Sequence, residues 1–193
     1  MKTDIGIQNL EQVLENLKTK KKLSFEDVCD LIFTFSYKDF DQIFKISEIE
    51  VPAETYIRLP VLHDDYVVFL KIWGIKNYSI IRDHRNYDAK VKVLKGSITE
   101  VNYRENSNFI EYDSRTTHKT GAIFIEEQKD INSNINNSEE NSVTLHIYRT
   151  AEPNLKGVRI FDTEKRKIGI LSKDAKSCSW NLPEKGFQKI MEI

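Results

Sequence analysis

Two short segments carry histidines in settings where they could act as ligands or as proton-transfer groups. His84 ends the segment IRDH, and His146 is the centre of the segment TLHIY. Side chains alternate between the two faces of a β-strand. Arg82 is therefore expected to share a face with His84. In the second segment, Thr144 and Tyr148 are expected to share a face with His146.

The polar face of the second segment has two interpretations. Val143, Leu145 and Ile147 occupy the opposite face, so polar and apolar side chains are separated. In a closed barrel the polar set can face the interior, if a ligand or a metal is bound there. Alternatively, it is an outer face without function, which is the commoner situation for one histidine on a strand. The other histidines, His63 and His118, lie in polar stretches and are expected to be solvated loop residues.

From residue 56 onward, short runs rich in β-branched and aromatic residues alternate with turn residues. This spacing predicts an antiparallel sandwich or barrel, and no long helical period supports an α/β fold. The segment Lys129–Ser142 is polar and rich in Asn and Ser, so it predicts an exposed loop between two strands. The predicted strands are Tyr56–Val61, Tyr66–Trp73, Tyr78–Ile81, Lys90–Leu94, Ser97–Tyr103, Phe109–Tyr112, Ala122–Glu126, Val143–Tyr148, Val158–Phe161 and Lys167–Ser172.

The first fifty residues have a helical pattern instead. Ser24 followed by Asp27 predicts an N-cap with an acidic third position, and Lys38–Ile46 predicts a third short helix. We therefore expect residues 1–50 to form a helical region that packs on a β-barrel of residues 51–193. The first helix is predicted from apolar residues at helical spacing and from a basic run at its end: Ile7, Leu10, Val13, Leu14, Leu17 and Lys18–Lys22.

Composition excludes several classes of protein. The 193 residues include 29 Lys and Arg and 30 Asp and Glu, a formal net charge of −1. This balance predicts neither nucleic-acid binding nor attraction to an acidic membrane surface. Cys29 and Cys178 are too few for a disulfide framework or a thiolate zinc site. Because neither a signal-peptide core nor a membrane-length apolar run is visible, we expect a cytoplasmic protein, with its oligomeric state left open.

The motifs between Tyr56 and Asp162 resemble, in order and spacing, those of type I cysteine dioxygenases, which are cupin-fold enzymes. The helical N-terminal region is also found in that family. The resemblance implies a mainly β fold, a cupin-type antiparallel β-barrel (jelly roll), and oxidation of a thiol to a sulfinate with O₂ and Fe(II). The motifs are YIR at 56–58, WG at 73–74, RDH at 82–84, VLKG at 93–96, LHIY at 145–148 and IFD at 160–162.

Three residues match positions of the family's substrate pocket. Arg58 matches the arginine that pairs with the substrate carboxylate, and a planar guanidinium can form two parallel hydrogen bonds with such a group. His146 and Tyr148 match the residues that orient the substrate and manage protons, which makes them the catalytic candidates. For Arg58 alone, the alternative is an ordinary surface ion pair.

The three-histidine iron site of the family is incomplete in this sequence. Arg82 stands in place of the first histidine, and only His84 matches the second. An arginine has no free lone pair and cannot be a ligand. The third ligand position falls at Ile131, or at Asp130 after a shift of one residue. Ala89 stands in place of the cysteine that animal enzymes cross-link to the tyrosine.

Two alternatives remain for this altered site. Asp88 shares strand parity with His84, so His84, Asp88 and Asp130 could form a one-histidine, two-carboxylate site for a hard divalent metal. Alternatively, Arg82 and Asp88 form a salt bridge where the metal would be.

Three functional hypotheses follow from these residues. The first is a cysteine dioxygenase-like cupin that acts on or binds a small thiol or amino-acid carboxylate, with an altered Fe(II) site. The second is a non-catalytic, metal-free cupin that serves as a ligand sensor or an accessory protein. The third is an enzyme without iron, in which Arg82 binds a second anionic group of the substrate.

Overall fold

The computed structural model describes residues 9–19, 23–107, 109–151 and 154–193. Three short helices precede the strands: α1 (Leu10–Thr19), α2 (Phe25–Ile32) and α3 (Tyr37–Phe44). Ile7 and the last three lysines of the basic run lie outside the described residues. No helix in the described ranges has both the length and the apolar character needed to cross a membrane.

The N-cap predicted at Ser24 is present. The Ser24 hydroxyl accepts a hydrogen bond from the Asp27 backbone N–H at 3.2 Å, and the Asp27 carboxylate accepts one from the Ser24 N–H at 3.3 Å. This reciprocal pair satisfies backbone donors that the first turn of a helix leaves free. The α2 helix therefore begins at a fixed residue, with Phe25 and Ile32 turned into the core.

The described residues form two antiparallel sheets that face each other. The first sheet has the order β1-β2-β9-β4-β7, and the second has the order β12-β11-β10-β3-β8-β5-β6. The predicted mainly β fold, an antiparallel jelly-roll barrel, is confirmed. The strands are β1 (Tyr56–His63), β2 (Val67–Trp73), β3 (Ile81–Asp83), β4 (Ala89–Lys95), β5 (Ser97–Glu105), β6 (Ile110–Lys119), β7 (Ile123–Glu126), β8 (Ile131–Ile135), β9 (Ser142–Tyr148), β10 (Arg159–Asp162), β11 (Lys167–Leu171) and β12 (Phe187–Glu192).

The helices cover the outer face of the first sheet. Every residue of β2 and β9 is buried, because helices lie on one side of these strands and the barrel interior on the other. Leu70 and Leu145 face outward and share one apolar core with Phe25 and Ile32 of α2. The helical region is thus part of the main core, and alternate residues of β2 and β9 are left to line the interior.

The prediction of an exposed loop at Lys129–Ser142 is wrong. Residues 131–135 form β8, which pairs with β3 on one side and β5 on the other. Asn132 and Asn134 are buried at 1% and 2% exposure. Their amide groups donate to Glu100 at 3.0 Å and to Glu126 at 2.9 Å. Since these amides find partners inside the barrel, a polar sequence can form a central strand here.

Candidate functional site

A pocket of about 330 Å³ opens between the two sheets. Residues of β1, β2 and β9 form one wall, Arg82 of β3 stands on the other, and the segment 173–178 covers one side. No described residue that lines the pocket is Asp or Glu. Five of the lining residues are cationic: Arg58, Lys71, Arg82, Lys173 and Lys176.

Three of these cations converge without an anionic partner. Arg58 lies opposite Lys71 in the register of β1 and β2, so both side chains project from the same face. The exposed Arg58 guanidinium stacks on Phe69, with its carbon 3.9 Å from the ring centroid. Among the described residues, neither these two nor Arg82 has a side-chain hydrogen bond or an ion pair.

Lys71 is the most deeply buried of the three cations, at 4% exposure. Its ammonium lies 5.2 Å from the ring centroid of Trp73 and 5.9 Å from that of Tyr56. Burial, reinforced by the positive charge of Arg82, lowers the pKa of Lys71 to about 7. The side chain can therefore gain or lose a proton near neutral pH.

Beside the pocket, a buried carboxylate lies between two imidazoles. Glu126 Oε2 is 3.9 Å from His84 Nδ1 and 4.0 Å from His146 Nδ1. The other oxygen, Oε1, accepts the hydrogen bond from Asn134. Among the described residues, Glu126 Oε2 and His146 Nδ1 have no hydrogen-bond partner. The three groups form a polar centre of fixed geometry within the barrel.

The charges of this centre follow from its surroundings. Burial alone would raise the pKa of Glu126, but His84, His146 and the nearby Lys71 lower it below the usual range of a carboxyl group. Burial lowers the pKa of His84, and it lowers the pKa of His146 further, with Lys71 adding to the effect. Burial therefore favours the neutral form of both imidazoles, while the positive charges of Lys71 and Arg82 favour the ionised form of Glu126.

The residues do not fit the three-histidine iron site that the resemblance implies. Arg82 and Asn132 lie opposite each other in the register of β3 and β8. The Asn132 side chain contacts the His84 imidazole, with its Oδ1 3.1 Å from Nε2, whereas Asp130 contacts the His84 backbone N–H through its own carbonyl oxygen. A guanidinium and an amide thus take the places beside the one retained histidine. In the described part of the chain, no group of three or more His, Cys, Asp or Glu side chains could hold a metal ion.

Neither of the two carboxylates predicted as substitute ligands forms a hydrogen bond with the His84 imidazole, although Asp130 is a backbone neighbour of His84. Asp88 accepts a hydrogen bond from Arg149 at 3.1 Å, so it forms no salt bridge with Arg82 either. The Asp130 carboxylate accepts the backbone N–H of Glu127 at 3.1 Å and lines a separate cleft of about 870 Å³. The structure does not bring the predicted metal ligands together.

The predicted catalytic residues lie on the inner face of β9. Tyr148 packs between Phe69 and Tyr87, with ring centroids 5.0 and 5.1 Å apart, and lines the pocket. Burial raises its pKa well above the usual value, so it remains a neutral phenol. His146 stacks on Phe69 at 5.6 Å, and its Nε2 lies 2.9 Å from Thr144 Oγ1. Of the two interpretations of TLHIY, the structure supports the inward-facing one.

Four residues of this region were not predicted from the sequence: Lys71, Glu126, Asn132 and Cys178. For Lys71 a signal was available, because it is the one charged residue in the strand VVFLKIW and shares its parity with Phe69. The alternation of Asn in NSN gives a weaker signal for Asn132. We found no such signal for Glu126 or Cys178.

The two remaining histidines differ from each other. His63 is exposed, with Nε2 2.8 Å from the carbonyl oxygen of Ala151. His118 lies on β6 rather than in a loop. It stacks on Phe124 with ring centroids 4.1 Å apart, and its Nε2 is 3.4 Å from Glu100. Neither contacts the pocket.

The two facing antiparallel sheets, with polar side chains turned into the barrel, define the protein as a cupin. A model of the family "cysteine dioxygenase type I" matches residues 3–164. The chain therefore belongs to the type I cysteine dioxygenase family. No curated protein sequence matches it significantly.

Similar solved structures are distant. Peruvianin-I, a cysteine peptidase from Thevetia peruviana latex, is 15% identical, with a TM-score of 0.46 over 61% of this chain and 73% of its own. A double-stranded β-helix protein from Klebsiella pneumoniae is 17% identical, with a TM-score of 0.44 over 61% and 93%. A cupin superfamily protein from Desulfitobacterium hafniense is 12% identical, with a TM-score of 0.42 over 52% and 83%. These similarities say nothing about function.

Proposed function

We propose that the barrel pocket binds a small organic carboxylate without a metal ion, as a ligand sensor or an accessory protein would. The observation that carries this proposal is the set of unpaired cations that line the pocket, with no Asp or Glu among the described lining residues. Charged side chains that are withdrawn from water without a partner are unfavourable, so an anionic ligand would stabilise them. The Arg58 guanidinium lies over the Phe69 ring, and the N–H donors at its edge can form two parallel hydrogen bonds with a carboxylate.

Iron-dependent thiol oxidation, which family membership suggests, is less well supported by the residues. Arg82 cannot ligate a metal, and the positive charges of Arg82 and Lys71 oppose a divalent cation nearby. The neutral His146 and Tyr148 beside the pocket suit hydrogen bonding to a ligand as well as they suit proton transfer.

The expected cytoplasmic location stays a prediction.

The test is calorimetric titration of protein treated with EDTA. The probes are 3-mercaptopropionate, which has a thiol and a carboxylate, and 3-mercaptopropan-1-ol, which has the thiol and a neutral hydroxyl in place of the carboxylate. We expect 3-mercaptopropionate to bind and 3-mercaptopropan-1-ol to fail, since only the former presents an anion to Arg58.

The matched variants are Arg58→Gln and Arg115→Gln, the latter an exposed arginine on the other sheet. Loss of a charge-assisted pair should weaken 3-mercaptopropionate binding by roughly 10- to 100-fold in Arg58→Gln. Arg115→Gln should bind as the wild type does. Equal affinity of Arg58→Gln and the wild type would remove Arg58 from the binding site.

A further inference from the structure

The pocket holds more positive charge than one carboxylate can balance. Lys71 and Arg82 lie beyond the exposed Arg58, on opposite walls of the barrel. Lys71 is 4% exposed and lacks a hydrogen bond or ion pair with any described residue. Lys173 and Lys176 add two exposed cations beside the pocket.

The buried carboxylates nearby are already committed. Glu126 interacts with both Lys71 and Arg82 and can offset one charge. Its Oε1 is held by Asn134, and its Oε2 lies between the two imidazoles. Glu100 is paired with Asn132 and His118 instead. Against Glu126, the one described carboxylate that offsets them, the guanidiniums of Arg58 and Arg82 leave an excess of one positive charge, and Lys71 adds a second when it is protonated.

The cations are also arranged along the pocket rather than at one point. Arg58 lies at the exposed side on β1, whereas Arg82 lies on β3 of the opposite sheet. Lys71 lies opposite Arg58 on the neighbouring strand and senses the charge of Arg82. A ligand with an anionic group at each end could therefore contact Arg58 with one group, and Arg82 and Lys71 with the other.

We propose that the ligand is a small dianion without an ammonium group, whose second anionic group lies between Arg82 and Lys71. This inference rests on the proposed function, in which Arg58 binds the first carboxylate. The second group is a carboxylate or a sulfur oxyacid, since both accept hydrogen bonds from guanidinium and ammonium donors. An α-amino acid is a poor fit because its ammonium would meet a pocket lined by cations.

The experiment compares probes that differ by one charge. Succinate and its monoamide, succinamate, have the same length and differ only in the second carboxylate. Aspartate is succinate with an added ammonium group. In 3-sulfopropanoate, a sulfonate replaces one carboxylate of succinate. Titrations of EDTA-treated protein should show succinate or 3-sulfopropanoate binding at least tenfold tighter than succinamate, and aspartate binding more weakly than succinate. Whichever of succinate and 3-sulfopropanoate binds more tightly identifies the second anionic group as a carboxylate or a sulfur oxyacid.

Arg82→Gln should lower the ratio of succinate to succinamate affinity, whereas Arg58→Gln should weaken the binding of both probes. Arg115→Gln serves as the folded control, and thermal unfolding checks each variant. Succinate binding at pH 7.5 should also draw a proton onto Lys71, which calorimetry in two buffers of different ionisation enthalpy detects. The Lys71→Met variant should lose this uptake.

The dianion proposal would be overturned if succinate, 3-sulfopropanoate and succinamate bound with equal affinity. If Arg58→Gln still bound them more weakly than the wild type, the proposed carboxylate pocket would remain. Absence of binding by all four probes would count against both proposals. Preference for aspartate over succinate would overturn the exclusion of an ammonium group.

Discussion

Lys71 places an amine where a barrel wall normally carries an apolar side chain. Its neighbours on the same face of β2 are Phe69 and Trp73, and its ammonium contacts no anionic group of the described residues. The groups that act on its pKa are Arg82 and Arg58, which lower it, and Glu126, which raises it. Burial is the largest contribution, so the native state disfavours the protonated form.

This burial makes stability depend on pH in a defined direction. In the unfolded chain the pKa of a lysine is about 10.4. Between pH 7 and about 10 the unfolded state therefore binds more protons than the native state, and the Lys71 contribution to stability rises with pH. Below pH 7 both states are protonated, and the full penalty of the buried charge is present.

Lys71→Met should accordingly stabilise the fold while it weakens ligand binding. We expect a gain in the free energy of unfolding of roughly 1–4 kcal/mol at pH 7, because an unpaired buried charge is replaced by an apolar chain of similar length. The gain should shrink as the pH approaches 10. Urea unfolding at pH 7 and pH 9.5 measures it, with exposed Lys119→Met as the control. A variant less stable than the wild type at pH 7 would contradict the placement of Lys71.

Among the elements, β8 shows why the sequence predicts the mainly β fold but not every residue of the candidate site. Alternation of apolar and polar residues predicts the strands that line an apolar core, as Val143, Leu145 and Ile147 do in β9. The strand β8 carries INSNI, whose asparagines face a polar interior, and hydropathy cannot distinguish such a strand from a loop. Its neighbours in the sheet, β3 and β5, supply the partners, and that long-range pairing is not visible along the chain.

The same limit applies to the functional residues. Arg58, Arg82 and Tyr148 were recognised through motif spacing, and the structure brings them to one pocket. Glu126 was not recognised, because its surroundings come from β3, β8 and β9 rather than from its own segment FIEE. Pairing across the barrel also decides that Asn132 contacts His84, a point that the spacing before His146 could not fix.

The α2 helix gives a prediction at the same scale. Ser24→Ala removes the hydroxyl that accepts the Asp27 N–H, and it should lower the free energy of unfolding by about 0.5–2 kcal/mol. Ser24→Thr keeps a hydroxyl at the N-cap and should stay close to the wild type. Urea unfolding of the three proteins tests this, and an unchanged Ser24→Ala would show that the cap contributes nothing.

At the scale of the whole molecule, an almost neutral chain concentrates positive charge in one place. The formal net charge is −1, yet the described lining of the pocket contains Arg and Lys without Asp or Glu. A low-dielectric cleft lined by one sign of charge attracts small ions of the opposite sign. The fold is that of the cysteine dioxygenase family, while the charge that lines the pocket suits an anion better than a metal ion.

The most direct test of the metal-free pocket is to measure iron content after anaerobic loading with Fe(II) and desalting. The wild type is compared with an Arg82→His/Asn132→His double variant. We expect the wild type to retain less than about 0.1 iron per chain, because a guanidinium and an amide occupy the ligand places. The double variant should approach one iron per chain, because it places imidazoles at the facing positions 82 and 132 of β3 and β8, next to His84. If the wild type retained close to one iron per chain, the proposal of a pocket that functions without a metal ion would be contradicted.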